Sequence, residues 1–187
     1  FMHYHVEPHF ESFRSWAGMR GIHEQIIAFL AFRPTLLHKP DANHPAWPSS
    51  RSWELASELH EIGMSVGPAV GPGAEAEFDA FCKLYKKLPD LEKILLKGGK
   101  EIPFPEEPSL RYAITIGLSA RALSEEAIRH GFAWLLAKAS PEWCQLFIHG
   151  IHDRAVKRNQ IGLLASILAS DPKMARFLRH VMTPDDA

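Results

Sequence analysis

The most informative stretch of the sequence is Trp47-Pro48-Ser49-Ser50-Arg51-Ser52-Trp53-Glu54. A proline-broken loop leads into a helix whose N-cap we predict at Ser50, because apolar residues recur at helical spacing directly after it. Arg51 then stands in the first turn, where its positive charge opposes the helix dipole. This placement favours an anionic partner for Arg51. The alternative is a solvated first-turn arginine with no ligand.

The same helical period continues on both sides of this stretch. It predicts a short turn at Leu36 and Leu37, an irregular surface loop over residues 39–48 and a turn-rich link over residues 67–73. Ser124 and Ser140 each precede an acidic first turn and so predict two further helix starts. Helices are expected around residues 10–17, 22–30, 50–63, 78–85, 91–95, 110–118, 128–135, 143–151, 161–168 and 174–181. The fold class predicted is all-α, a helical lid-like domain followed by helical hairpins.

The first residues are the exception to this pattern. Residues 1–8 alternate with period two, which predicts one short leading strand. A lone strand leaves its backbone edge unpaired, so we expect it to be left over from an absent α/β core upstream of Phe1. His3, His5 and Glu7 would share one face of the strand with ligand-like spacing. A polar strand face is the simpler interpretation, and no metal site is predicted.

Glycine and proline mark the predicted domain boundaries. Gly98 and Gly99 are followed by three closely spaced prolines up to Pro108. We therefore predict a strand remnant over residues 1–9, a helical domain over 10–98 and a C-terminal helical extension over 106–184.

Composition narrows the classes of partner. Among 187 residues, 21 are basic and 22 acidic, so no basic surface for nucleic acid or membrane is expected. No apolar run approaches the ~20 residues that span a bilayer. Cys82 and Cys144 lie inside apolar helical patterns, which favours buried, reduced thiols in a cytoplasmic protein.

The sequence contains none of the motifs of an independent catalyst. There is no Gly-x-x-x-x-Gly-Lys-Ser/Thr loop to hold phosphates, and no Gly-x-Ser-x-Gly elbow. His149, His152 and Asp153 fall on one helix and are expected to form a solvated edge instead of a catalytic dyad. We expect this chain alone to be non-catalytic and to need no cofactor.

Three large apolar residues of the C-terminal region, Phe132, Trp134 and Leu135, are nearly consecutive. One helix cannot bury all three against a single neighbour. Either helices of the chain cover both sides, which we favour, or part of the stripe stays exposed for a partner.

Two segments carry a resemblance to a known family. They are Phe29-Leu30-Ala31-Phe32-Arg33-Pro34-Thr35-Leu36-Leu37 and the opening stretch around Arg51. Together they resemble the C-terminal lid and helical extension of a MoxR-like AAA+ ATPase of bacterial or phage type, without the ATP-binding core. That family has a similar Phe-Arg-Pro-x-Leu-Leu segment and a Pro-Ser/Thr-Pro-Arg-Ser-Trp helix start. Here Ser50 stands where proline is common.

The resemblance implies a role within a larger machine. Arg51 matches the family's sensor-2 arginine, which contacts the terminal phosphates of ATP, and Arg33 is a second, less specific candidate. ATP and magnesium would be bound by the intact parent, and the partners would be the missing ATPase core and neighbouring AAA+ subunits or a client protein. The alternative for Arg33 is that it only ends a helix, with its side chain bonding the last carbonyls. A stand-alone helical interaction module without a nucleotide role is the alternative function.

Overall fold

The computed structural model describes residues 7–159 and 161–182, and every regular element in those ranges is helical. This confirms the all-α fold class. The leading strand, with His3 and His5, was predicted mainly for residues that lie outside these ranges. Glu7 is exposed and precedes the first helix. The helices are α1 (Phe10–Arg20), α2 (Glu24–Phe32), a 3₁₀ turn (Pro34–Leu36), α3 (Ser50–Glu61), α4 (Gly67–Val70), α5 (Pro72–Tyr85), α6 (Leu91–Lys97), α7 (Pro108–Arg121), α8 (Glu125–Lys138), α9 (Pro141–Lys157), α10 (Ile161–Ser170) and α11 (Pro172–Met182).

The helix ends follow from local chemistry. Gly21 ends α1 in the left-handed conformation with φ 81°, and its N–H bonds the carbonyl of Ala17. Ser124 accepts a hydrogen bond from the N–H of Ala127 and so caps α8 as predicted. Ser140 makes no such side-chain bond, and Pro141 begins α9 with its preset φ.

The turn-rich link predicted for residues 67–73 is wrong in part. Residues Gly67–Val70 form the short helix α4, and Pro72 begins α5. A proline at each start supplies a helical φ. In addition, Glu75 Oε1 accepts the N–H of Gly67 at 3.0 Å, which satisfies one of the amides at the beginning of α4.

The chain forms two compact units. The first holds the described residues up to Leu91 together with Phe104–Gly117, and the second holds Glu92–Pro103 and the described residues from Leu118 onward. Neither unit is a single continuous segment, whereas the sequence suggested a linear boundary near residues 98–106. Helix α7 contributes residues to both units.

Aromatic side chains from α2, α3 and α5 form the core of the first unit. Phe29 lies 5.6 Å from Trp53, 5.4 Å from Phe78 and 5.6 Å from Phe81 between ring centroids. All four rings are almost completely buried. Tilted and edge-on ring pairs of this kind stabilise beyond the area they bury, so this cluster fixes how the three helices pack.

The second unit packs helices closely where glycine faces a neighbour. A Cβ on Gly131 would lie 2.9 Å from the Phe147 ring, and one on Gly150 would lie 2.9 Å from the Ser119 Cβ. The guanidinium of Arg154 donates to the carbonyl oxygens of Ser119, Ala120 and Ala122 at the end of α7. A side chain of α9 thereby caps the C-terminus of α7.

Candidate functional site

Two serines fix the beginning of α3. Ser49 is the N-cap, since its Oγ accepts the N–H of Ser52 at 3.1 Å, and Ser52 Oγ accepts the N–H of Ser49 at 2.7 Å. The prediction of Ser50 as the cap is therefore wrong by one residue. The signal was present in the Ser-x-x-Ser spacing, which allows a reciprocal capping box.

Trp53 anchors this helix start to the segment that contains Arg33. Its indole N–H donates to the carbonyl oxygen of Leu36 at 2.7 Å, and the whole side chain is buried. Leu36 and Trp53 belong to the two segments that carried the resemblance. They are 17 residues apart in the chain, and the fold brings them into direct contact.

Arg51 projects from the first turn of α3 and is exposed. Within the described residues its side chain has no hydrogen bond or ion pair. The capping box uses the N–H groups of Ser49 and Ser52, so those of Ser50 and Arg51 are the first-turn donors that no helix carbonyl can satisfy. A charged guanidinium and two amide donors therefore occur together at the start of a 12-residue helix. This combination is suited to binding an anion.

Arg33 has a different environment. Its backbone N–H bonds the carbonyl of Phe29 at 2.7 Å at the end of α2. Its guanidinium pairs with Glu77 of α5 at 3.3 Å and lies 5.1 Å from the centre of the Phe32 ring. The carboxylate offsets the charge of Arg33, so this guanidinium is less available to an anion than that of Arg51. Glu77 was missed because it lies 44 positions away and carries no local motif.

A cleft of about 260 Å³ opens between the loop of residues 39–48 and the start of α5. Gly71 forms part of its floor with φ 82°, and a Cβ there would lie 2.6 Å from the carbonyl oxygen of Ala46. Only glycine fits this close approach. Arg51 is not among the residues that line the cleft, whereas Glu77 is.

The charges of the cleft are mixed. Lys39 and His44 stand beside the carboxylates of Asp41 and Glu77. A hydrogen bond from the backbone N–H of Asn43, and then one from His44, hold the pKa of Asp41 below its usual range. Both carboxylates oppose a bound phosphate, so this cleft is a poorer anion site than the exposed start of α3.

The cysteines differ from the sequence prediction in burial. Cys144 is buried, whereas Cys82 is only partly covered, and both are free thiols. Burial raises the pKa of each thiol to about 11, with Asp79 adding to the effect at Cys82 and Glu142 at Cys144. Thiols with such pKa values are poor nucleophiles at neutral pH.

The apolar stripe of α8 is covered within the second unit. Phe132 and Leu135 are fully buried and Trp134 is 2% exposed. Phe132 packs edge-on against Phe177 of α11 with ring centroids 5.4 Å apart, and the indole N–H of Trp134 donates to the carbonyl of Ile102 at 3.1 Å. This confirms that the chain itself buries the stripe, by α11 on the side of Phe132 and by the segment that contains Ile102 on the side of Trp134.

His149 and His152 are exposed on α9, as expected for a solvated edge, whereas the same prediction is wrong for Asp153, which is buried. His152 Nδ1 lies 3.7 Å from Asp153 Oδ1. Within residues 7–159 and 161–182, no three His, Cys, Asp or Glu side chains are grouped closely enough to hold a metal ion. In the same ranges, no helix is both long and apolar enough to cross a membrane.

Comparison with protein-family models, with curated proteins and with solved structures gave no match for this chain. The resemblance to the lid of MoxR-like AAA+ ATPases therefore rests on the residues around Arg33 and Arg51 alone.

Proposed function

We propose that this chain is the lid region of an AAA+ ATPase and that Arg51 contacts the terminal phosphates of ATP held by a separate core. The observation that carries the proposal is the position of Arg51. It is an exposed guanidinium without a carboxylate partner among the described residues, beside the unsatisfied amides of a capped helix start. The positive charge of Arg51 is mildly unfavourable at this end of the helix dipole, and a bound anion would make the arrangement favourable.

The lid would supply binding energy and a signal, not hydrolysis. A phosphate contact at Arg51 would hold α3 against the nucleotide. Because the indole of Trp53 bonds the carbonyl of Leu36, a movement of α3 would also move the segment after α2. ATP and magnesium would be held by the core, and the closed lid would report the nucleotide state to neighbouring subunits or a client protein.

The intact ATPase provides the main test. Arg51→Ala should slow ATP hydrolysis or weaken ATP binding by roughly ten- to a hundredfold, since a charge-assisted phosphate bond contributes about 1.5–3 kcal/mol. Arg51→Lys should restore only part of the loss, because an ammonium cannot reproduce the guanidinium fork. Arg33→Ala is the matched control, and its loss should be smaller because Glu77 already pairs with Arg33. Normal turnover and affinity in Arg51→Ala would refute the role.

The chain alone provides a second test. Isothermal titration should show no tight ATP binding, but NMR titration with millimolar ATP should shift the amides of residues 50–52 in the wild type and not in Arg51→Ala. The DNA sequence upstream of the codon for Phe1 tests whether the chain belongs to a larger ATPase. An in-frame phosphate-binding loop supports the lid, and a start codon just before Phe1 without such a loop contradicts it.

A second candidate function is a helical protein-interaction module without a nucleotide role. Leu55, Ile62 and Met64 on and just after α3 are 49%, 70% and 58% exposed, and Leu55 and Ile62 share a helix face. Exposed apolar side chains at this density are typical of contact surfaces. Under this function Leu55→Lys should abolish partner binding, and ATP should shift no amides of residues 50–52 in the wild type.

A further inference from the structure

The start of α2 depends on a histidine in one protonation state. His23 is the N-cap, and its Nδ1 accepts the backbone N–H of Gln25 at 3.2 Å. The backbone N–H of His23 donates to Ser57 Oγ on α3 at 2.8 Å. An imidazole nitrogen can accept this bond only while it carries no proton, so the cap requires neutral His23 with its proton on Nε2.

A second histidine lies against the first. His60, in the last turn of α3, donates from Nε2 to Gln25 Oε1 at 2.7 Å. Its ring meets the His23 ring edge-on at 4.7 Å between centroids and meets Phe78 of α5 at 5.1 Å. Gln25 Oε1 also accepts a weaker bond from Cys82 Sγ of α5 at 3.6 Å. One amide oxygen of α2 thus links α2 to both α3 and α5.

We propose that His23, Gln25, His60 and Cys82 form an acid-sensitive joint that holds the start of α2 against α3 at neutral pH and loosens it on protonation. A proton on Nδ1 of His23 turns the cap acceptor into a donor facing the N–H of Gln25. It also places a cation at a helix N-terminus, where the dipole is unfavourable. A second imidazolium at His60 would lie beside the first, and the two like charges would repel.

The groups around His60 shift its pKa in opposite directions. Burial lowers the pKa of His60 most, and the neighbouring His23 lowers it further. Asp79 of α5 and Glu61 of α3 act in the opposite direction, but burial and His23 prevail.

Two other polar groups of the joint have partners of their own. Glu24, next to His23, accepts a hydrogen bond from the Tyr85 hydroxyl at 2.7 Å. Burial and Asp79 raise the pKa of Cys82 to about 11 against the opposing charge of Lys86, so Cys82 remains a neutral donor to Gln25.

The sign of the pH dependence follows from the lowered pKa of His60. In the unfolded chain His60 titrates near its ordinary pKa of about 6.5. Below that pH the unfolded state binds more protons than the folded state, so the stability of the fold decreases as the pH falls. The contribution of the joint is complete at neutral pH and is lost under mildly acidic conditions.

The test compares urea unfolding of the full chain at about pH 7.5 and about pH 5.5, on either side of the ordinary histidine pKa. The variant carries His23→Asn and His60→Gln, since Asn is a good N-cap and Gln keeps a donor for Gln25, and neither residue titrates. The control is His38→Gln, an exposed histidine that touches Trp47. The urea midpoint of the wild type and of the control should fall on acidification. In the double variant, the fall should be less than half as large. An equal fall in all three proteins would overturn the proposal.

NMR of the wild type decides the question even if the double variant does not fold. As the pH falls, the backbone N–H signal of Gln25 should shift together with the ring signals of His23, and its hydrogen exchange should accelerate before global unfolding. Ring titration of both histidines with an unchanged Gln25 amide would also overturn the proposal.

Discussion

Replacing Trp53 with phenylalanine tests whether the bond to Leu36 holds the two resemblance segments together. Phenylalanine keeps an aromatic ring beside Phe29 and Phe78 but has no N–H to donate. The carbonyl of Leu36 accepts the indole N–H at 2.7 Å, in a region where Leu36 is itself 5% exposed. The substitution therefore leaves a buried acceptor without its partner.

Two costs add in this variant. An unsatisfied buried carbonyl costs about 1–3 kcal/mol. The smaller ring also loses apolar contact comparable to one or two methylenes, which is about 1 kcal/mol. The expected decrease in the free energy of unfolding is therefore about 2–4 kcal/mol, a large part of the ~5–15 kcal/mol of a typical domain.

The measurement is urea unfolding followed by circular dichroism, with hydrogen exchange of the α3 amides to locate the effect. Trp47→Phe is the matched control, because Trp47 is only half-buried and touches His38 by its ring. The control should change the stability little. Equal losses in the two variants would show that the indole bond of Trp53 has no special role, and the reasoning would fail.

The remaining predictions concern close packing and the thiols. Gly150→Ala should cost about 1–3 kcal/mol in urea unfolding, because the new methyl group would overlap Ser119. Gly162→Ala is its control, since a Cβ there meets nothing within 4 Å, and it should be neutral or stabilising by up to about 1 kcal/mol. A thiol reagent at neutral pH should label Cys82 slowly and Cys144 only after unfolding, because burial raises both pKa values to about 11 and Cys144 is inaccessible. Loss of stability in Gly162→Ala equal to that in Gly150→Ala, or rapid labelling of Cys144 in the folded chain, would contradict these expectations.

Much of the fold could be predicted because helices depend on residues a few positions apart. Apolar spacing located most of the helices, and Ser124 marked a helix start that the structure confirms. The errors were also local. The cap of α3 is Ser49 instead of Ser50, and the proline that suggested a link at Pro72 begins a helix. Ser49 and Ser50 are both residues that can cap a helix, and a proline is found both in turns and at the first position of a helix. The local sequence could not decide between these alternatives.

The candidate site was only partly predictable. The sequence by itself placed Arg51 in the first turn of α3, because that position depends on the adjacent loop and on the helical period that follows it. Only the tertiary structure decided that Arg51 has no described ion-pair partner while Arg33 pairs with Glu77. The same holds for the bond of Trp53 to Leu36 and for the contact between His23 and His60. These partners lie 17 to 44 positions apart, and chain folding sets their distances, since no local preference of the backbone acts over such separations.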